Sequence, residues 1–122
     1  MTERASARLN WVELASGTPQ DLLAGRFQVR ISGEICRGVR VFHGHAEPGE
    51  VPEGYVLGHL LTVNVGEPVP GEFFWPGRGW KTDLVGHLGV NLLPAGMPYS
   101  TRWRQPVERV LVEIAPENFA SL

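Results

Sequence analysis

The chain has 122 residues and a net charge of −2 at neutral pH. That length fits one domain, and the charge excludes a free-standing nucleic-acid binder, which is clearly basic. Its single cysteine excludes an internal disulfide framework, and no apolar run approaches the about 20 residues that span a bilayer.

Fifteen glycines and ten prolines are scattered as single turn signals. With a hydrophobic fraction of 43%, they point to many short strands in one globular core, not to collagen or disorder. Residues 1–17 read as an arm with little periodicity and no apolar leader. "GTPQDLLAG" at 17–25 predicts one short helical turn, with Thr18 as N-cap, Pro19 at the first helical position and Gly25 as terminator. "RFQVRI" at 26–31 alternates and predicts a strand. Arg26, Arg30, Arg37 and Arg40 concentrate charge nearby, but Glu34 interrupts them, which reads as a solvated strand face. Cys36, alone in a strand-rich stretch, reads as core filler.

"GVRVFHGHAE" at 38–47 alternates again, with Val39, Val41, His43 and His45 on one face and Arg40, Phe42 and Gly44 on the other. "PGEVPEG" at 48–54 reads as a turn-rich loop. "HLLTVNV" at 59–65 predicts a strand. "GEFFW" at 71–75 and "WKTDLV" at 80–85 flank a "PGRG" hairpin loop. "LGVNLL" at 88–93 runs into a Pro94-Ala95-Gly96 corner, and "PYSTRW" and "VERVLVEI" follow it. In the last strand Arg109 and Glu113 share one face, Val110, Val112 and Ile114 the other. That alternation places one face in a core. Helix is otherwise confined to the start that Pro116 and Glu117 signal. Seven or eight strands with turns between them predict an all-β fold, a sandwich or barrel.

From "HLLTVNVGEPVPGEFFWPGRGWKTDLVGHLGVNLLPAGMPYSTRWRQPVERVLVEIAPENF" the chain resembles the N-terminal sensor domain of AraC-type transcription regulators. The features that carry the likeness are an apolar strand ending in glycine, an aromatic hairpin around a "GR" turn, a "G…LLPAG-P" corner and a "W…P…VLVEIAPENF" close. The resemblance covers residues 38–122, with 1–37 as arm and first strands. It implies a single small cupin-like β-barrel that binds an organic effector. The family's DNA-binding helix-turn-helix domain is absent from these residues, and the abrupt end at Leu122 reads as the edge of a longer protein. Cytoplasmic location, no membrane contact, no nucleic-acid contact by this domain and at most weak homodimerisation go with that reading.

Cupin enzymes hold a metal with an H-x-H pair, a glutamate and a histidine beyond the Pro-x-Gly corner. This chain offers His43 and His45 with Glu47 near, but one strand earlier than that register, and tyrosine (Tyr99) at the third position. A phenol stays protonated near neutral pH. His87 sits on a turn. No G-x-S-x-G elbow, P-loop or G-x-G-x-x-G is present. The expectation is therefore a non-catalytic domain with no metal, no cofactor and no catalytic residue. A small metal-dependent cupin enzyme acting on a small acid or sugar is the alternative. Trp75, Trp80 and Trp103 supply aromatic wall, and the candidate pocket residues are His43, His45, Tyr55, His59, Trp75, Asn91, Tyr99 and Trp103.

Overall fold

A computed structural model describes residues 8–120. Eleven strands carry it: β1 (Asn10–Glu13), β2 (Pro19–Asp21), β3 (Gln28–Cys36), β4 (Val39–Ala46), β5 (Gly49–Val56), β6 (His59–Asn64), β7 (Val69–Trp75), β8 (Gly79–Val85), β9 (Val90–Leu93), β10 (Tyr99–Trp103) and β11 (Val107–Ile114). A single short helix, α1 (Pro116–Ala120), follows, with Pro116 first and Glu117 in its first turn as the sequence signals. The strands form a six-stranded sheet in the order β2-β1-β5-β10-β7-β8 and a five-stranded sheet in the order β3-β4-β11-β6-β9. The all-β class expected from the sequence is what the chain adopts.

The two sheets face each other over one core. Trp11, Phe42, Val56, Leu60, Leu93 and Leu111 are buried there, and Phe27 and Trp103 join it to a smaller cluster of Ala46, Val69 and Val107. Phase along β4 and β11 decides what enters this space. Phe42, Gly44 and Ala46 of β4 are buried. Their partners across the ladder are Leu111, Arg109 and Val107 of β11. The Arg109 face of β11 is thus the inner one, and Val110, Val112 and Ile114 lie on the outer face with Val41 and His43. Phe42 and Leu111 bury more apolar area than the valines opposite, so the register that encloses them wins.

Several sequence expectations are corrected. Residues 17–25 hold no helical turn. Pro19 and Gln20 pair with Val12 and Trp11 of β1, which gives the backbone of this segment partners that a one-turn helix would leave orphaned. The Asp21 carboxylate accepts from the backbone N–H groups of Leu9 and Leu23 (3.0 and 3.1 Å) and starts a turn instead. From Gly49 on, the "PGEVPEG" segment is no loop but the first part of β5, inside its sheet. Pro52 is accommodated because β5 carries an extra residue there: Tyr99 faces Gly54 while Thr101 faces Val51. A bulge spares the proline a ladder hydrogen bond it cannot donate. Cys36 is exposed at the end of β3, not core filler. Within the arm, Leu9 and Trp11 are fully buried, so β1 belongs to the core. Residues 1–7 of the expected arm, and the chain's last two residues, lie outside the described residues.

The Pro94–Gly96 corner is as the sequence predicts. Gly96 has φ of 80°, in the left-handed region that favours glycine. The corner is tied on both sides. The Ala95 N–H donates to His59 Nδ1 (3.1 Å), the Gly96 N–H to the Val56 carbonyl (2.9 Å) and the Met97 N–H to the Pro94 carbonyl (3.2 Å).

Candidate functional site

Between the sheets lies a cavity of about 130 Å³. Its walls come from both sheets and from the turn before β3. Leu60, Leu93 and Leu111 line one side; Tyr99, Phe73 and Trp103 line the other. Leu22, Leu23 and Phe27 close part of the end. The wall is mostly apolar with a few polar groups, as small-molecule sites are. The polar side chains are Arg26, Thr62, Asn91, Tyr99, Thr101 and Arg109. A second groove outside it shares Arg26, Phe27 and Trp103, so these three stand at the boundary between cavity and surface.

Each polar group has a local cause. Thr62 pairs with Asn91 across β6 and β9, and Leu60 with Leu93, so all four face inward together. Tyr99 opens β10 directly after the corner and is 2% exposed. Burial pushes its phenol pKa well up, with the Arg26 charge opposing weakly, and the group is a neutral donor. Its ring stands 6.0 Å from that of Trp75. Thr101 Oγ1 is spent on the Glu72 carbonyl (3.1 Å), and the Trp103 indole N–H on the Glu47 carbonyl (2.8 Å). Arg26 is also committed: Nε to the Glu50 carbonyl, Nη1 to the Leu22 carbonyl, and its guanidinium 5.6 Å over Trp11.

Of the residues expected to form the pocket, Asn91, Tyr99 and Trp103 line it. Trp75 stands behind Tyr99 against the core. The other four are placed elsewhere. His43 and His45 share a face, but the outer one, because Phe42, Gly44 and Ala46 take the inside of β4. There His43 Nε2 meets Glu108 Oε2 at 2.7 Å. His59 precedes the inward Leu60 and holds the corner instead. Tyr55 pairs with Val12, on the face opposite to buried Val56 and Trp11. The aromatic hairpin also splits. Phe73 lines the cavity, whereas Trp80 lies outside with Arg102 stacked 3.9 Å over its ring. His87 sits on the exposed surface, its Nδ1–H donating to the Gly66 carbonyl (3.2 Å).

Sequence reading missed Arg109 as a cavity residue, since it alternates with valines and so looks solvated. It also missed Asn64, which is fully buried beside it. Asn64 Nδ2 lies 3.0 Å from the carbonyls of Glu67 and Val85, and Oδ1 accepts from the Gly66 N–H. That asparagine is a structural clamp on the turn after β6.

No family model and no curated protein matches the chain. Solved structures do. A cupin domain from Bordetella pertussis Tohama I is 20% identical with a TM-score of 0.54, over 72% of this chain and 90% of that one. A conserved protein of unknown function from Streptococcus pyogenes reaches 0.56 at 16% identity, over 89% and 95%. An oxalate decarboxylase from Bacillus subtilis, a protein with Mn(II) centres, reaches 0.55 at 15% identity, over 75% of this chain but 29% of its own. At these identities the likeness shows the fold, which is that of the cupins.

Metal centres occur on this fold, so the donor set matters. The cavity wall contains no histidine, cysteine, aspartate or glutamate. Among the described residues no three such side chains are grouped to hold an ion. The residues present do not fit a cupin metal centre.

Proposed function

We propose that this chain is a non-catalytic, effector-binding cupin domain of the kind found in AraC-type transcription regulators, taking a small organic molecule between its sheets. The observation that carries this reading is the cavity itself, apolar, about 130 Å³ and lined without metal-ligand side chains. The sequence likeness over residues 38–122 supports the regulator assignment. A DNA-binding domain would then lie elsewhere in the regulator, the site of action would be the cytoplasm, and this domain would contact neither nucleic acid nor membrane. Its self-association would be weak.

A small metal-dependent cupin enzyme is the second reading. The oxalate decarboxylase likeness favours it and the composition of the cavity wall opposes it. Metal analysis after exhaustive dialysis, paired with a thermal-shift screen of small acids, sugars and aromatics, separates the two. The sensor reading expects a ligand that raises the melting temperature and metal far below stoichiometric. Stoichiometric iron, manganese, nickel or zinc would overturn it.

A further inference from the structure

Arg109 is a half-buried cation of the cavity wall with no counter-ion among the described residues. Its Nε–H is buried and has no hydrogen-bond partner among the described residues. No carboxylate lines the cavity, and none pairs with Arg109 among the described residues. Across the ladder stand Gly44, which has no side chain, and Asn64, whose amide is consumed by backbone carbonyls. Burial lowers the pKa of Arg109, a sign that the charged form lacks compensation here. A guanidinium nevertheless remains charged in proteins, and its buried Nε–H is a donor left without a partner, which costs free energy until an acceptor answers it.

We propose that Arg109 is the charge-reading residue of the cavity and that the effector is a small monocarboxylate with an apolar body. This rests on the reading of the cavity as a ligand site. The class follows from three observations. Of the two cations on the wall, Arg109 is the one with an inner donor to offer, because Arg26 stands at the boundary with the surface and its Nε and Nη1 are taken by the Glu50 and Leu22 carbonyls; one carboxylate answers that donor. The remaining wall is mostly apolar, with five leucines, two phenylalanines and a tryptophan, which suits a hydrocarbon body. The volume sets the size: a cavity of about 150 Å³ takes up benzene, so about 130 Å³ accepts one ring or a short branched chain. A planar carboxylate matches the fork of a guanidinium. Thr62 and Asn91, neighbours on the same inner face, offer further polar contacts.

Benzoate and benzamide are the probes, equal in shape and different in charge. Titration of each into the intact protein, followed by tryptophan fluorescence through Trp103, reads the difference. The wild type is expected to prefer benzoate by about ten- to a hundredfold, the span of one charge-assisted hydrogen bond. R109M is expected to bind the two alike. R109K, which keeps a charge but loses the fork, is expected to retain part of the preference, and it carries the test if R109M does not fold. A wild type that binds benzamide as well as benzoate, or an R109M or R109K protein with undiminished preference, overturns the role of Arg109 while leaving the cavity a ligand site. If neither probe binds at millimolar concentration nor shifts the melting temperature, the cavity reading itself fails.

Discussion

Tyr99 follows the Pro94–Gly96 corner, and its phenol is kept neutral by burial. No hydrogen bond from it is made within the described residues. Tyr99→Phe should therefore cost at most about 1 kcal/mol of stability, measured by urea denaturation; a loss of several times that would mean the hydroxyl is held by a partner. Asn64 is the opposite case. Its carboxamide serves several buried backbone groups at once, so Asn64→Ala should cost about 2–4 kcal/mol, and a variant as stable as the parent would refute the clamp. On the outer face of the six-stranded sheet, the hydrogen bond from Arg102 Nε (2.6 Å) is the main cause that holds the Glu72 carboxyl below its ordinary pKa, with Arg104 adding to it. A depressed folded-state pKa contributes stability above the unfolded value, about 4.3. That contribution disappears as pH falls through the folded value. Melting curves of Glu72→Gln against the parent should converge in acid and separate slightly near neutral pH, with the parent higher. Equal separation at all pH values would contradict this.

Strands and corners were legible to different degrees, for reasons that particular elements show. β11 was predicted with both its ends right, because four β-branched residues in eight, set between turns, favour a strand. Its inner face was not legible. Val110, Val112 and Ile114 are apolar on the outside while Arg109 lies inside, so a two-period pattern carries no direction when both faces hold apolar residues. β5 was hidden by two glycines and a proline, and only the bulge opposite Ser100 makes that composition compatible with a strand. The Pro94–Gly96 corner was legible because it needs a residue type, not a partner. Gly96→Val should cost about 1–2 kcal/mol, the strain of a left-handed backbone with a side chain; the space around it is open, so a larger loss would implicate something beyond φ. Gly44 carries a different constraint. A Cβ there would collide with the Gln28 carbonyl, since the chain entering β3 lies directly against it.

At the scale of the molecule, the fold class could be read from turn spacing alone, whereas the site could not. Pocket membership depends on strand phase, and phase depends on how two sheets close on each other. Asn91, Tyr99 and Trp103, which line the cavity, lie on strands that recognisable turns begin or end. Arg109 and Phe27 needed the three-dimensional register. The outer surface also bears on association. β9 is the edge of its sheet, with Val90 and Leu92 exposed, and an open edge strand invites pairing. Light scattering should show weak, concentration-dependent association that Leu92→Lys reduces. A dimer that persists unchanged down to nanomolar protein would contradict it.

The space between the sheets is proposed to hold a small organic anion and not a metal ion. A crystal structure of the protein grown with benzoate tests it most directly. The ring is expected between Leu60, Leu93 and Phe73, with its carboxylate on Arg109. An empty cavity, or a metal ion bound in the space where the ring is expected, would contradict it.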